Sequence, residues 1–404
     1  MDQTLTDLFL IFNTMLSPFI SRSLWAILCD LNSKNLWMSS NTPNEYLITK
    51  TVQDFIEVEI QRLWLCFKSE VDKDKQKKID KELGRLRAHY RQVGKIGYTK
   101  QLSKFLQKKL IDKNINSKLD RTAGKFVFND GILDLRTGYF QVGFRPDDYI
   151  SEPDQQLHNY LTLKGDPVKR DYVVNQFKKI LNNNEYHLEY YLGVIGHALT
   201  GDAHLEKAFY YIVDGTDNSK GNNGKTFIFN LLERIFPHLV QVAEPKVLEK
   251  DYSKVHKHIS KWKGKRIIFA DEGTKKKLND SLIKKIGDGL TIENEVMYGC
   301  VEIIDVMFKM FVCSNHIPKF DDDNEAVFNR YKQIQMCSHF DKGRDEDNFE
   351  KLEFVCDPSL GDTLTNTYSD EIILLMLDYA KKYYIEGIPV QPLEFQVASN
   401  ETKK

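Results

Sequence analysis

The residues with the clearest chemical potential begin at Asp214-Gly215 and run through Gly221-Asn222-Asn223-Gly224-Lys225-Thr226. An apolar run, Ala208-Phe209-Tyr210-Tyr211-Ile212-Val213, precedes them. Phe227, Ile228, Leu231, Leu232, Ile235 and Phe236 follow at helical spacing. Strand, Gly-rich loop and helix in that order form a phosphate cradle. Glycines let backbone N–H groups turn inward, and a helix N-terminus adds positive potential. Gly221, Asn222, Asn223 and Gly224 are the expected cradle. Lys225 would reach the outer phosphates of a nucleotide such as ATP, and the Thr226 hydroxyl would bind Mg²⁺. The strict spacing G-x-x-x-x-G-K-[ST] is not met, because Ser219 stands at its first glycine. Gly215 lies further upstream, so the loop is lengthened. A Gly/Asn surface loop shares this composition.

A second apolar run, Ile267-Ile268-Phe269-Ala270, ends in Asp271-Glu272. Ligands of open α/β sheets bind at the carboxyl ends of strands. Asp271 would hold Mg²⁺, directly or through water, and Glu272 would orient and polarise an attacking water. A third run, Phe308 to Cys313, ends in Ser314-Asn315-His316-Ile317-Pro318. Asn315 could contact the terminal phosphate or the water; an Asx turn before proline is the plainer alternative. Arg330, in Phe328-Asn329-Arg330-Tyr331, offers a guanidinium that in isolation reads as a surface group. His256 and His258 have no carboxylate set beside them, which argues against a metal site.

Three apolar runs separated by helical stretches predict an α/β domain with a parallel core over 206–345. Upstream, 1–120 reads as a mainly helical region. Within it, Phe55 to Trp64 mixes apolar and charged residues at near-helical spacing. Residues 121–165 are β-rich: Phe126-Val127-Phe128-Asn129-Asp130-Gly131-Ile132-Leu133-Asp134-Leu135-Arg136-Thr137-Gly138 alternates apolar runs with turns, a hairpin pattern. Residues 166–205 form a helical lead-in, ending near Thr200-Gly201-Asp202. Residues 346–404 read as an acidic helical tail.

The chain has 404 residues and a formal net charge of −1. That neutrality hides a segregation: residues 71–125 hold 17 Lys/Arg against 6 Asp/Glu, and 341–404 hold 7 against 14. A basic segment in a neutral chain can face phosphates or be a solvated helical face. No apolar run approaches the roughly 20 residues of a membrane span, so no membrane partner is expected. Asp2 stands where a signal peptide would be basic, which points away from secretion. The six cysteines, Cys29, Cys66, Cys300, Cys313, Cys337 and Cys356, contain no CxxC pair and fit a reducing, cytoplasmic setting.

Taken together, Gly-Asn-Asn-Gly-Lys-Thr (221–226), Ile-Ile-Phe-Ala-Asp-Glu (267–272), Lys-Lys-Ile-Gly-Asp (284–288), Cys-Ser-Asn-His-Ile-Pro (313–318) and Asn-Arg (329–330) resemble the superfamily 3 helicases. The nearest likeness is to poxvirus-type and phage/plasmid-type primase-helicases. Phe128 to Leu135 resembles their pre-helicase segment, and Ile195 to Asp202 the stretch leading into their nucleotide loop. The likeness covers about 120–340 well and 1–120 faintly. It implies an AAA+-like P-loop ATPase core and a hexameric ring around DNA. It further implies ATP hydrolysis between subunits, and a role in replicating a virus or mobile element in the host cytoplasm or at a viral replication site. It assigns Lys225 and Thr226 to the nucleotide loop, Asp271 and Glu272 to the acidic pair, Asn315 to the sensor and Arg330 to the arginine finger.

Departures from the pattern are Ser219, the single Arg330 after Asn329, and an acidic pore hairpin, Glu293 to Glu302. DNA contact there would fall to Lys284, Lys285 or Tyr298. No primase precedes residue 120, so a primase would be a partner or be fused elsewhere. The chain stops soon after Pro392 to Gln396, as a short family member or a piece of a longer protein would. The alternative from a different class is a nucleotide-gated, DNA-binding initiator or assembly ATPase without productive unwinding.

Overall fold

A computed structural model describes residues 45–93, 118–151, 158–215, 221–252, 256–273, 276–296, 300–318 and 325–402, with 95, 97 and 320 between them. They fall into two compact units, Met1–Arg121 with Phe144–Glu152, and Thr122–Gly143 with Pro153–Lys404.

In the first unit, helices α1 (Glu45–Ser69) and α2 (Lys73–Val93) form a hairpin. Asp72 starts α2 by accepting the N–H of Asp74 at 2.9 Å, satisfying an otherwise unpaired helix-terminal donor. Val52 and Ile56 on α1 and Leu83, Leu86 and Val93 on α2 are buried. Arg85, Arg87 and Arg91 stay exposed. The rest of the basic stretch, 98–117, lies outside the described residues.

The second unit opens with a three-stranded antiparallel meander, β1 (Lys125–Phe128), β2 (Gly131–Asp134) and β3 (Phe140–Val142). The expected hairpin is its first half. Gly131 is required by proximity, since a Cβ there would stand 2.0 Å from the Gln141 carbonyl oxygen. Helices α3 (Pro167–Ile180) and α4 (Glu185–Thr200) follow. The Asp166 and Asn184 side chains cap their N-termini. Gly201 ends α4 in the left-handed conformation, at φ 75°.

The centre is a five-stranded parallel sheet whose strands lie side by side in the order Tyr331–Met336, Phe209–Asp214, Lys309–Ser314, Ile267–Asp271 and Val240–Ala243. Its strands are β4 (Phe209–Asp214), β5 (Val240–Ala243), β6 (Ile267–Asp271), β9 (Lys309–Ser314) and β10 (Tyr331–Met336). Between β6 and β9 the chain forms an antiparallel hairpin, β7 (Ile292–Val296) and β8 (Cys300–Ile304). The helices of this region are α5 (Phe227–Ile235), the short α6 (His256–Ile259), α7 (Asp280–Asp288) and the short α8 (Glu325–Phe328).

The three inner strands are the three apolar runs of the sequence, and both of their faces are covered. Tyr210 and Ile212 on β4, Phe269 on β6 and Phe311 on β9 enter one core. Tyr211, Val213, Ile268, Ala270, Met310 and Val312 enter the opposite core. Near-continuous apolar strands are what a doubly covered parallel sheet requires. Two strands have no counterpart in the sequence reading. β5 and β10 are edge strands, and Val240-Gln241-Val242-Ala243 and Tyr331-Lys332-Gln333-Ile334-Gln335-Met336 mix polar and apolar positions, so neither forms a continuous apolar run.

The segment expected as an acidic helical tail is helical, and it also contributes to the core. After a small pairing of β11 (His339–Asp341) with β12 (Glu353–Val355), the chain forms α9 (Leu360–Thr367), α10 (Ser369–Glu386) and α11 (Leu393–Glu401). Phe354, Leu364, Ile372, Ile373, Met376, Ala380 and Phe395 are buried. Their acidic neighbours occupy mainly the outer faces, so net charge misreported the burial. α11 lies along β10: Ser399 Oγ accepts the Gln333 N–H at 2.8 Å, and Gln391 Nε2 donates to the Gln333 carbonyl at 3.2 Å. This satisfies an edge strand that would otherwise present open backbone groups.

Candidate functional site

β9 is inserted between β4 and β6, and that order builds the site. It places Asn315, just beyond β9, between the loop that follows β4 and the carboxylates that end β6. Lys225 Nζ donates to Asn315 Oδ1 at 2.8 Å and to Asn223 Oδ1 at 2.9 Å. A cavity of about 380 Å³ is lined by Gly221 through Phe227, Asn230, Asp271, Glu272 and Asn315. Five residues expected to act together, Lys225, Thr226, Asp271, Glu272 and Asn315, therefore do converge. Ser219 and Tyr298 lie outside the described residues.

Local backbone explains the loop's composition. Gly221, Asn222 and Gly224 have φ of 70°, 56° and 78°, a region open to glycine and tolerated by asparagine. Gly224 is also tight: a Cβ would stand 3.1 Å from Ile180. Asp214 Oδ2 accepts the Gly221 N–H at 3.2 Å, and buried Asn223 donates to the Met336 carbonyl at 3.3 Å. α5 begins directly after Thr226, as the apolar spacing from Phe227 predicts.

Lys225 is the cation of this cavity, and Asp271 and Glu272 are its carboxylates. Burial pulls the Lys225 ammonium below its ordinary range, opposed by the charges of Asp214 and Asp271. Its two partners are neutral amides, so no salt bridge must break when an anion arrives. Glu272 has φ 58°, a left-handed conformation that costs a non-glycine residue about 1–2 kcal/mol. Its N–H donates to Asp271 Oδ1 at 3.0 Å, and the next N–H, of Gly273, donates to the Cys313 carbonyl at 3.0 Å. Strain of this kind collects where a side chain must be aimed.

Among the described residues no group of three or more His, Cys, Asp or Glu side chains could hold a metal ion. Asp271 and Thr226 nevertheless line one cavity with the loop. One carboxylate and one hydroxyl fit Mg²⁺, which keeps several waters and takes phosphate oxygens for its remaining positions.

A larger cavity of about 780 Å³ shares Asn222, Gly224 and Phe227 with the first. Tyr172, Ile180, Phe340 and Leu360 contribute apolar wall, and Asp341, Asp345 and Glu346 contribute a polar rim. These residues carry no sequence motif; they meet only because α3 and the β11–β12 region flank the loop.

Arg330 is elsewhere. It immediately precedes β10, whose Tyr331 pairs with Phe209 at the start of β4, whereas the loop leaves the far end of β4. Five residue steps at about 3.3 Å separate the two ends by roughly 17 Å. One side chain does not span that distance, so Arg330 does not reach its own chain's Lys225. Its guanidinium pairs with Asp288 instead, Nε to Oδ1 at 2.8 Å and Nη2 to Oδ2 at 2.7 Å. Of the basic residues expected to contact DNA, Lys284 is half-buried and Lys285 exposed, both on α7. Among the described residues no helix is long and apolar enough to cross a membrane.

No family model matches the chain. It is 26% identical over 288 residues to "Putative helicase L207/L206" of Acanthamoeba polyphaga mimivirus, covering 69% of this chain and 29% of that protein. It is 26% identical over 254 residues to "Putative helicase 184R" of Invertebrate iridescent virus 6, covering 59% of this chain and 24% of that protein. The chain spans less than a third of the length of these curated relatives. Among solved structures, the A form of the NrS-1 C-terminal region without ligand is 12% identical and covers 60% of this chain and 52% of that one, with a TM-score of 0.40. A likeness that loose carries no weight for fold or function. The chain is thus a mixed α/β protein with a five-stranded parallel sheet, distantly similar to viral proteins named as helicases.

Proposed function

We propose that the chain is the ATPase part of a viral DNA helicase of the superfamily 3 type, with an AAA+-like core. In this reading it works as a hexameric ring that hydrolyses ATP between copies. The observation that carries the reading is the joining of Lys225, Asn223 and Asn315 beside Asp271 and Glu272, at the carboxyl ends of three adjacent parallel strands.

The residues divide the work as follows. Backbone N–H groups of 221–226 and the start of α5 receive the phosphates. Lys225 exchanges its amide partners for phosphate oxygens, and Asn315, released from Lys225, is free to bond the terminal phosphate or the attacking water. Glu272 takes the water's proton. Thr226 and Asp271 would hold Mg²⁺, which when bound neutralises phosphate charge. The base enters the larger cavity beside Ile180 and Phe340. Arg330 serves the neighbouring copy, since it is out of reach of its own site. DNA meets Lys285, Lys284 and the region of Tyr298, and the basic 71–125 stretch faces nucleic acid. A primase partner, or a primase elsewhere in a longer protein, completes the assembly.

Glu293, exposed on the hairpin, and the acidic Glu295 and Glu302 of its sequence favour a second reading, an initiator that binds DNA under nucleotide control without unwinding it. Strand displacement on a forked duplex separates them. ATP- and Mg²⁺-dependent release of the labelled strand supports the helicase. ATP hydrolysis and DNA binding with no strand release supports the initiator.

A further inference from the structure

The Arg330 guanidinium donates three hydrogen bonds inside its own chain. Besides the two bonds to Asp288, Nη1 donates to the Ala326 carbonyl. Both side chains of the pair are only 16% exposed. The Arg330 guanidinium holds the Asp288 carboxyl below the usual carboxylate range. The Arg330 stem lies over Gly287, where a Cβ would come within 3.0 Å of Arg330 Cδ.

The two partners differ in side-chain reach. Asp288 is the last residue of α7. The next residue, Gly289, is pinned: a Cβ there would meet the His204 backbone nitrogen at 2.5 Å. Beneath it, the buried ammonium of Lys309 donates to the Gly287 carbonyl at 3.3 Å and to the Glu206 carbonyl. The Arg330 backbone is held too, its N–H by the Val327 carbonyl at 3.0 Å and its carbonyl by the Phe209 N–H at 2.8 Å, so motion is left to the side chains, and the long Arg330 stem, not the short Asp288 one, is able to swing.

We propose that Asp288 parks Arg330. In an unpartnered copy the guanidinium rests on its own α7, and it transfers to the nucleotide of a neighbouring copy only when that copy docks. The transfer exchanges one anionic partner for another, so the guanidinium never stands unpaired and desolvated. Asp288 is then a positioning residue that sets the fraction of Arg330 ready to act in trans. This rests on the proposed ATPase reading.

The test is ATP hydrolysis by the 404-residue chain as a function of protein concentration, for wild type and Asp288→Asn. The substitution keeps the shape and one acceptor but removes the charge. Losing a charge-assisted pair shifts such a population by about threefold to tenfold. The concentration giving half-maximal activity should fall by that factor, with an unchanged plateau. An unchanged midpoint, or a lower plateau in a variant that melts normally, overturns parking.

Mixing Lys225→Ala with Arg330→Ala chains tests delivery in trans. Equal random mixing makes about a quarter of head-to-tail interfaces whole. Recovery of up to that share of activity is expected, and none, with subunit exchange verified, overturns trans action. Wild type lacking any ATPase that Lys225→Ala removes sinks the functional reading itself.

Parking has a readout independent of activity and of the variant's folding, which is phenylglyoxal modification of wild-type Arg330 followed by peptide mass spectrometry. In dilute, nucleotide-free protein Arg330 should react at least about threefold more slowly than exposed Arg85, by the same population argument. Equal reactivity overturns parking.

Discussion

At the carboxyl end of the parallel sheet, Lys225 is held by two neutral amides in an open cavity. At the amino end, Arg330 is held by a carboxylate and Lys309 by backbone carbonyls, both largely out of solvent. The first cation is ready for an anion from solution, because nothing charged must be displaced. The second pair is already satisfied by the chain itself. A parallel sheet leaves its strand-end loops free at one side. In this molecule the opposite side is closed by α7 and by the short segment around His204.

The largest expected effect is at the open end. Lys225→Ala should lower ATP hydrolysis at least about 10²-fold, the scale lost with a charge-stabilising donor, while the melting temperature holds. Phosphate release at saturating ATP checks this, and near-normal turnover would erase the contrast between the two ends.

A smaller effect is expected from the cradle. Gly224→Ala forces a side chain into φ 78° and against Ile180. With strain of about 1–2 kcal/mol, the KM for ATP should rise roughly fivefold to thirtyfold, with a smaller change in kcat. An unchanged KM would mean that the loop relaxes freely.

The closed end should show itself through pH. Burial pushes the Lys309 ammonium down to about 7, with the charges of Glu206 and Asp288 opposing. An unfolded lysine titrates near 10.4. Between those values the unfolded chain binds the extra proton, so stability rises with pH across that window and is flat below it. In Lys309→Met this contribution is absent. The stability difference, wild type minus variant, should therefore grow by up to about 1.4 kcal/mol per pH unit between about pH 7.5 and 9. Urea denaturation at those two pH values measures it, and a constant difference would show that Lys309 keeps its proton.

The inner strands were legible because burial on both faces demands runs such as Phe209-Tyr210-Tyr211-Ile212-Val213. The loop was legible because glycine and asparagine are the residues that accept positive φ. Edge strands β5 and β10 were not, since Gln241 on β5 and Lys332, Gln333 and Gln335 on β10 interrupt their apolar residues. The role of α11 was hidden as well: Ser399 and Gln391 look like ordinary surface polar residues until Gln333 is seen to need partners. The pairing of Asp288 with Arg330 joins the 284–288 and 329–330 segments, whose contact no spacing reveals, and it depends on where α7 ends. The larger cavity behind the loop is hidden for the same reason, since Tyr172 and Phe340 have no shared spacing. Composition misled at the C-terminus, because acidic side chains on outer faces say nothing of the isoleucines and leucines between them.

The most direct test of the carboxyl-end site separates binding from turnover. Mg²⁺-ATP binding and hydrolysis are measured together for wild type, Glu272→Gln and Asp271→Asn. If Glu272 orients the water and Asp271 serves the metal, Glu272→Gln retains ATP with near-normal affinity and turns over at least about 10²-fold more slowly, the scale of general-base loss. Loss of ATP binding in Glu272→Gln together with normal turnover in Asp271→Asn would contradict the assignment.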